Sequence, residues 1–145
     1  MVDSNIQREE ILPSEKAYSY KMKLDAIKHQ GRKIEETSNQ LGGKNNELAQ
    51  LLGEDQGDSG TQVRRYIRLT KLIPEILKKV DEKRIAFNPA VEISYLTQEE
   101  QTKLYDAMEC NDATPSLGQA IHLKKLSQAI SFYNKYLKQR KREAR

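Results

Sequence analysis

All four prolines of this chain, Pro13, Pro74, Pro89 and Pro115, stand directly ahead of a run with helical character. Proline has a fixed φ and no N–H, so it suits the first turn of a helix and is excluded from its interior. The prolines therefore cut the chain into helices joined by short turns. The residues from Phe87 to Leu96 would also allow a strand, but no partner strand is visible elsewhere in the sequence. The expected class is all-α.

From Pro13 the spacing predicts a helix to Gln30, with Ala17, Tyr20, Leu24 and Ile27 on one face and Gly31 as its stop. Ile34 and Leu41 could anchor a short helix that Gly42-Gly43 would end. A compact helix over "NNELAQLLG" follows, with Asn45 or Asn46 as cap, Leu48, Leu51 and Leu52 buried, and Gly53 at the end. "GEDQGDSG" reads as a flexible acidic turn. Ser59 with Gln62 is a capping box, and Asp58 places a negative charge at the positive end of the helix dipole. The helix so opened is expected to run about 13 residues, roughly 20 Å. Pro74 starts the next, with Ile76, Leu77 and Val80 inward. Asn88 is the expected cap of a short helix with Pro89 at its first position. Thr97 with Glu100 opens another, and Thr114 is the expected cap of a long last helix from Ser116, with a break near Ser127. Leu126, Ile130, Tyr133 and Leu137 form a narrow stripe fit for one partner helix, a candidate interface.

Only 37% of residues are hydrophobic and the mean hydropathy is −0.83, so the core is modest and the surface charged. There is no run of about 18 apolar residues to span a bilayer. The N-terminal residues lack the apolar stretch of a signal peptide. The lone Cys110 cannot form an internal disulfide, which fits a reducing cytoplasm. His29, His122 and Cys110 share no ligand spacing, and no phosphate loop or Ser-His-Asp set is present. No enzyme activity, metal or cofactor is expected.

Charge is segregated. Residues 1–58 carry 8 basic and 11 acidic side chains, and residues 59–84 carry 8 and 3. Residues 85–121 carry 1 and 6, and residues 122–145 carry 8 and 1. Two basic blocks separated by an acidic one are the footprint of a nucleic-acid binder. Within the first block, Val63, Tyr66, Ile67, Leu69 and Ile73 share one broad sector of a helical wheel with Thr70. Arg64, Arg65, Arg68 and Lys71 lie on the other side with Thr61, and no acid accompanies them. A solvated face usually mixes signs, since Glu–Lys pairs stabilise a helix. Repulsion among four cations is relieved by a polyanion.

A short helix, a glycine-containing turn and a second, basic helix form the helix-turn-helix arrangement, whose second helix presents its N-terminal residues to base edges. Here these are Ser59, Gly60, Thr61, Gln62 and Arg65, the candidate base readers: Gln pairs with adenine and Arg with guanine. Arg64, Arg68 and Lys71 are placed for phosphates. The basic tail "KYLKQRKREAR" suits a grip on phosphates, dimerisation, acidic lipid or a solvated end. Its two tyrosines and Phe132 offer little area for membrane insertion, and no membrane partner is expected.

These segments resemble the ParB-type plasmid and chromosome partition proteins over roughly residues 3–128. "NIQREEILPSEKAYSYK" is similar to the family's junction between its nucleotide-binding and DNA-binding domains. "LAQLLG" resembles its first helix-turn-helix helix, and "SGTQVRRYIRLTKLIPE" its recognition helix. "EKRIAFNPAVEISYL" resembles the following helix pair, which approaches DNA near Asn88. The resemblance implies residues 1–12 as the remnant of that junction, 13–126 as a helix-turn-helix domain and 127–145 as a basic C-terminal helix or tail. It implies specific binding of a centromere-like duplex site, a two-fold dimer, a partition ATPase as partner, and association with nucleoid or plasmid. Asn5 matches a residue that helps hold the family's nucleotide-bound metal ion, but Ser4 stands where a catalytic glutamate is usual, so nucleotide hydrolysis is not expected. "EDQGD" looks like an insertion, and Gly60 replaces a frequent arginine. The rival readings are a transcription regulator of a mobile element and a helical adaptor for an acidic protein.

Overall fold

The computed structural model describes residues 11–32 and 41–144. The expected junction remnant before residue 11 and Ile34 lie outside them. The described residues are all-helical, with seven α-helices and no strand. The chain divides into two compact units, Met1–Thr70 and Lys71–Arg145.

The first unit contains α1 (Pro13–Arg32), α2 (Leu41–Glu54) and α3 (Gly60–Arg68). Helices α1 and α2 both pack on α3. Tyr20, Ala49 and Val63 form the buried centre, with Leu52, Tyr66 and Ile67 packed against it. Helices α1 and α3 contribute at the spacing the sequence predicts, while α2 contributes Ala49, which the sequence does not single out, with Leu52. Val63 alone is worth about 1.5–3 kcal/mol of burial.

Four expectations for this unit are corrected. Gly31 does not stop α1, which continues to Arg32. Gly42-Gly43 lies inside α2, because glycine weakens a helix by only ~1 kcal/mol and does not forbid one. Asn45 and Asn46 are therefore interior residues and not caps. Leu51 is 59% exposed, because the face set by Ala49 and Leu52 turns it outward.

The stop of α2 also moves, from Gly53 to Gly57. Asp58 N–H donates to Gly53 O (2.8 Å) and Gly57 N–H to Glu54 O (3.4 Å). With Gly57 at φ +74°, this is a Schellman motif, whose left-handed residue favours glycine. Ser59 then caps α3 at once: its Oγ accepts from Gln62 N–H at 3.2 Å. The acidic turn is thus a C-cap joined directly to an N-cap. Helix α3 is shorter than expected, nine residues followed by a 3-10 turn at Leu69–Lys71. Pro74 holds Ile73 extended (ψ 151°), and the chain tightens ahead of it.

The second unit contains α4 (Pro74–Asp81), α5 (Phe87–Ile93), α6 (Gln98–Asn111) and α7 (Leu117–Glu143). Helix α4 packs on α5 and α6, and α5 packs on α7. Ile76, Leu77, Val80, Ile85, Ile93 and Met108 are buried. Gln101, fully buried, accepts from Ile73 N–H (2.8 Å) and donates to Lys71 O (3.2 Å) and Leu96 O (3.0 Å). It holds the entry to α4 against the start of α6. Helices α4 and α6 end as α2 does, with Lys83 (φ 61°) and Asp112 (φ 47°) in the left-handed position.

Three more expectations are corrected here. Ala86, not Asn88, precedes the first turn of α5, since Ala90 N–H already bonds Ala86 O and Phe87 is drawn partly inside. Pro89 remains within the first turn, where its missing N–H has no intrahelical partner to lose. Ser116, not Thr114, caps α7, because Ser116 and Gln119 form a reciprocal capping box. No break occurs at Ser127: its Oγ donates to Glu100 Oε1 at 3.1 Å while the helix runs on. Residues 126 and 127, between which a domain boundary is expected, are consecutive positions of continuous α7. No described helix is long and apolar enough to cross a membrane.

Candidate nucleic-acid interface

Helix α3 is amphipathic in the literal sense of its contacts. Val63 is fully buried, Tyr66 and Ile67 are half-buried, and Arg64 and Thr61 are exposed. Arg65 and Arg68 are intermediate. None of residues 59–74 is acidic. The first turn is built by Ser59, whose hydroxyl is engaged as the cap, and by exposed Thr61 and half-exposed Gln62.

Besides Ser59, the candidates Arg64, Thr61 and Gly60 make defined contacts within the unit. The Arg64 guanidinium donates to Asn46 Oδ1 of α2 and to Thr61 Oγ1 (3.3 Å). These bonds orient Arg64 across the α2–α3 joint and occupy one lone pair of Thr61. Gly60 faces α2: an added Cβ would lie 3.1 Å from Gln50 N and 3.3 Å from Gln50 Cα. Its role in the structure is to let α3 approach the α2 backbone, and an arginine there would strain that approach. Gln62, Arg65 and Arg68 lie with Arg64 on α3. Lys71 and Asn88, both exposed, belong to the second unit.

Asp58, Tyr20 and Tyr66 each carry a local signal in the sequence, but Lys16 and the contacts that join the four do not. Asp58 accepts from the Tyr20 hydroxyl (2.7 Å) and pairs with Lys16 Nζ (2.7 Å), with its side chain only 16% exposed. Lys16 also lies 4.7 Å from the Tyr66 ring centroid, a cation–π contact onto α3 itself. Tyr20 and Tyr66 rings stand 6.2 Å apart at 57°. Lys16, Tyr20, Asp58 and Tyr66 thus tie α1, the turn and α3 together. No local spacing links residue 16 to residue 58. For Lys16 the only hint is its adjacency to the apolar face of α1.

Burial alone would raise the Asp58 carboxyl, but hydrogen bonds from Lys16 and Tyr20 and the Lys16 charge outweigh it and hold it below the ordinary range. The same setting pushes Tyr20 well above its usual value, through burial first and then the Asp58 hydrogen bond. A carboxyl depressed in the folded state stabilises above its unfolded pKa of 3.8, and the stabilisation is lost as pH falls through the lower folded value. The first unit is therefore expected to lose stability below about pH 4. Urea unfolding followed by circular dichroism at two pH values checks this. Asp58→Asn should flatten that dependence, and an equally steep loss in the variant would remove Asp58 as its cause.

No family model, curated protein or solved structure matches the chain.

Proposed function

We propose that α3 lies in the major groove of double-stranded DNA and reads a specific site with its first turns. The observation that carries this reading is the acid-free cationic face of α3, set opposite a buried face and held by a tight cap-to-cap joint to α2. A helix presented this way has the width a major groove accepts. Gln62 and Arg65 are the proposed base readers, with Ser59 and Thr61 beside them. Arg64, Arg68, Lys71 and Asn88 are the proposed phosphate contacts, which supply affinity and its salt dependence. The arrangement of α2 and α3 is read as a helix-turn-helix. Resemblance to the ParB-type proteins supports a centromere-like site in a plasmid or chromosome partition system, with a partition ATPase as a further partner.

The test is selection from random duplexes of roughly 24 bp, room for two half-sites a turn apart, with the winner's affinity followed against salt. A consensus with a steep salt slope supports the reading. Absence of binding at low salt sinks it and favours an acidic protein partner. Sites lying at promoters instead of partition loci would favour a transcription regulator.

Two variants separate the roles on α3. Arg65→Ala should weaken the selected site by ~1–3 kcal/mol and relax its sequence preference. Arg68→Ala should weaken all duplexes alike and lower the salt slope by about one. Uniform losses for Arg65→Ala would refute base reading, and an unchanged slope for Arg68→Ala would refute a phosphate contact.

A further inference from the structure

Helix α7 changes character along its length. Its first half packs on the second unit through Ala120 and Ser127, both buried, and through Lys124, which pairs with Glu92 at 3.1 Å. Every residue from Gln128 to Ala144 is exposed. A lone helix of that kind is marginal in water, because most helical stability in proteins comes from packing an apolar face. This stretch has such a face. Leu126, Ile130, Phe132, Tyr133, Tyr136 and Leu137 are between 40% and 76% exposed. At about 100° per residue they span an arc of roughly 160°, on the side of the helix opposite Ala120 and Ser127. The arc therefore faces away from the body of the second unit.

We propose that this face lies on an anionic lipid surface, with the helix flat in the headgroup layer. The width of the arc favours a surface over a single helix. Phe132, the most exposed of the six at 76%, sits about 120° from Leu126 on the wheel, outside the narrow seam that one partner helix covers. A plane covers the whole arc. Tyr133 and Tyr136 suit the headgroup level, where the ring is buried and the hydroxyl stays wet. Sequence alone credits insertion only to the two tyrosines and Phe132. In the structure Leu126, Ile130 and Leu137 stand exposed on the same side and enlarge the inserting area.

Charge sets the kind of lipid. Residues 122–142 hold seven lysines and arginines and no acid. Lys125 precedes the apolar stretch, and Arg140 and Lys141 follow it, all three within the arc or at its edge. Their stems run along the apolar boundary and carry the charges out to headgroup phosphates and carboxylates. Lys135, Lys138 and Arg142 fall on the far side, toward water. A helix with its apolar residues and cations placed in this way lies in the plane of the interface, held by apolar burial together with attraction to anionic headgroups. Each cation at an anionic surface counts for about fivefold in binding, so the three bracketing residues supply on the order of 100-fold.

The test uses the full chain without DNA, so its failure is distinguishable from failure of the DNA reading. The chain has no tryptophan, so Phe132→Trp supplies a single indole on the face itself. Phosphatidylcholine vesicles containing phosphatidylserine should sediment this chain and shift its indole emission to the blue. Lys125→Gln with Arg140→Gln and Lys141→Gln should weaken the binding on the order of 100-fold. Ile130→Glu with Leu137→Glu should abolish it with an unchanged urea midpoint, because both residues are exposed. No sedimentation, sedimentation without a blue shift, or equal binding to pure phosphatidylcholine would each overturn the proposal. Binding that survives the double glutamate variant would place the contact on the cations of α3 and overturn it. So would a lipid-free dimer by light scattering whose indole is already shifted, which would assign the face to a second copy.

Discussion

Gly53→Ala should destabilise the first unit by about 2–3 kcal/mol, the cost of forcing volume into a packed site, and should abolish the DNA binding proposed for α3. An added Cβ would collide with Asp58 O, 2.9 Å from its carbonyl carbon and 3.0 Å from Val63 Cγ2. The obstacle is backbone, fixed by the bond from Asp58 N–H to Gly53 O, so it cannot swing aside as a side chain would. Moving it shifts Asp58 away from Lys16 and Tyr20 and tilts the start of α3. Alanine's higher helix propensity returns only ~0.5–1 kcal/mol. Gly57→Ala is the informative companion. Nothing lies within 4 Å of its added Cβ, and only its φ of +74° opposes the change. Its expected cost is ~1 kcal/mol or slightly more. Urea unfolding followed by circular dichroism ranks the two. A Gly53→Ala variant as stable as wild type would mean that the turn does not close on α2 this tightly.

Gln101→Leu should cost the second unit about 2–4 kcal/mol despite its similar volume and greater hydrophobicity. It strips partners from Ile73 N–H, Lys71 O and Leu96 O. A buried polar group left unsatisfied costs about 1–3 kcal/mol, and one of the three, Leu96 O, lies in a buried bond. Gln101→Glu refines the test. It can still accept from Ile73 N–H, but its ionised form has no donor for the two carbonyls and brings charge into a fully buried site. Its deficit should therefore grow as pH rises through the carboxyl's titration. Near-wild-type stability of Gln101→Leu would show that water satisfies these groups.

The helical class was legible in the sequence because its signals are local. Prolines at helix starts, Ser59 and Thr97 before their first turns, and apolar residues at spacings of three and four act within one or two turns. Thr97 does cap α6, accepting from Glu100 N–H at 3.2 Å. The two faces of α3 were legible for the same reason, since Val63 and Arg64 are separated by geometry that a wheel captures.

Where two local signals compete, the sequence alone does not decide between them. Thr114 and Ser116 both stand near Pro115, and only the reciprocal bond with Gln119 decides for Ser116. Gly53 and Gly57 both offer a helix stop, and only the closure of the turn on α2 separates them. Leu51 looked as buried as Leu52, because the side on which α3 lies is not written in α2.

What the sequence alone determined is the list of helices, the segregation of charge, and the cationic side of α3. Tertiary structure decided how α3 is held and how its residues are engaged within the unit. It spent Gly60 on helix approach, tied Arg64 to Asn46, and joined Lys16, Tyr20 and Asp58 across 42 positions of chain. Those contacts are non-local: they form only when α1, α2 and α3 meet, and no period in the sequence encodes the meeting.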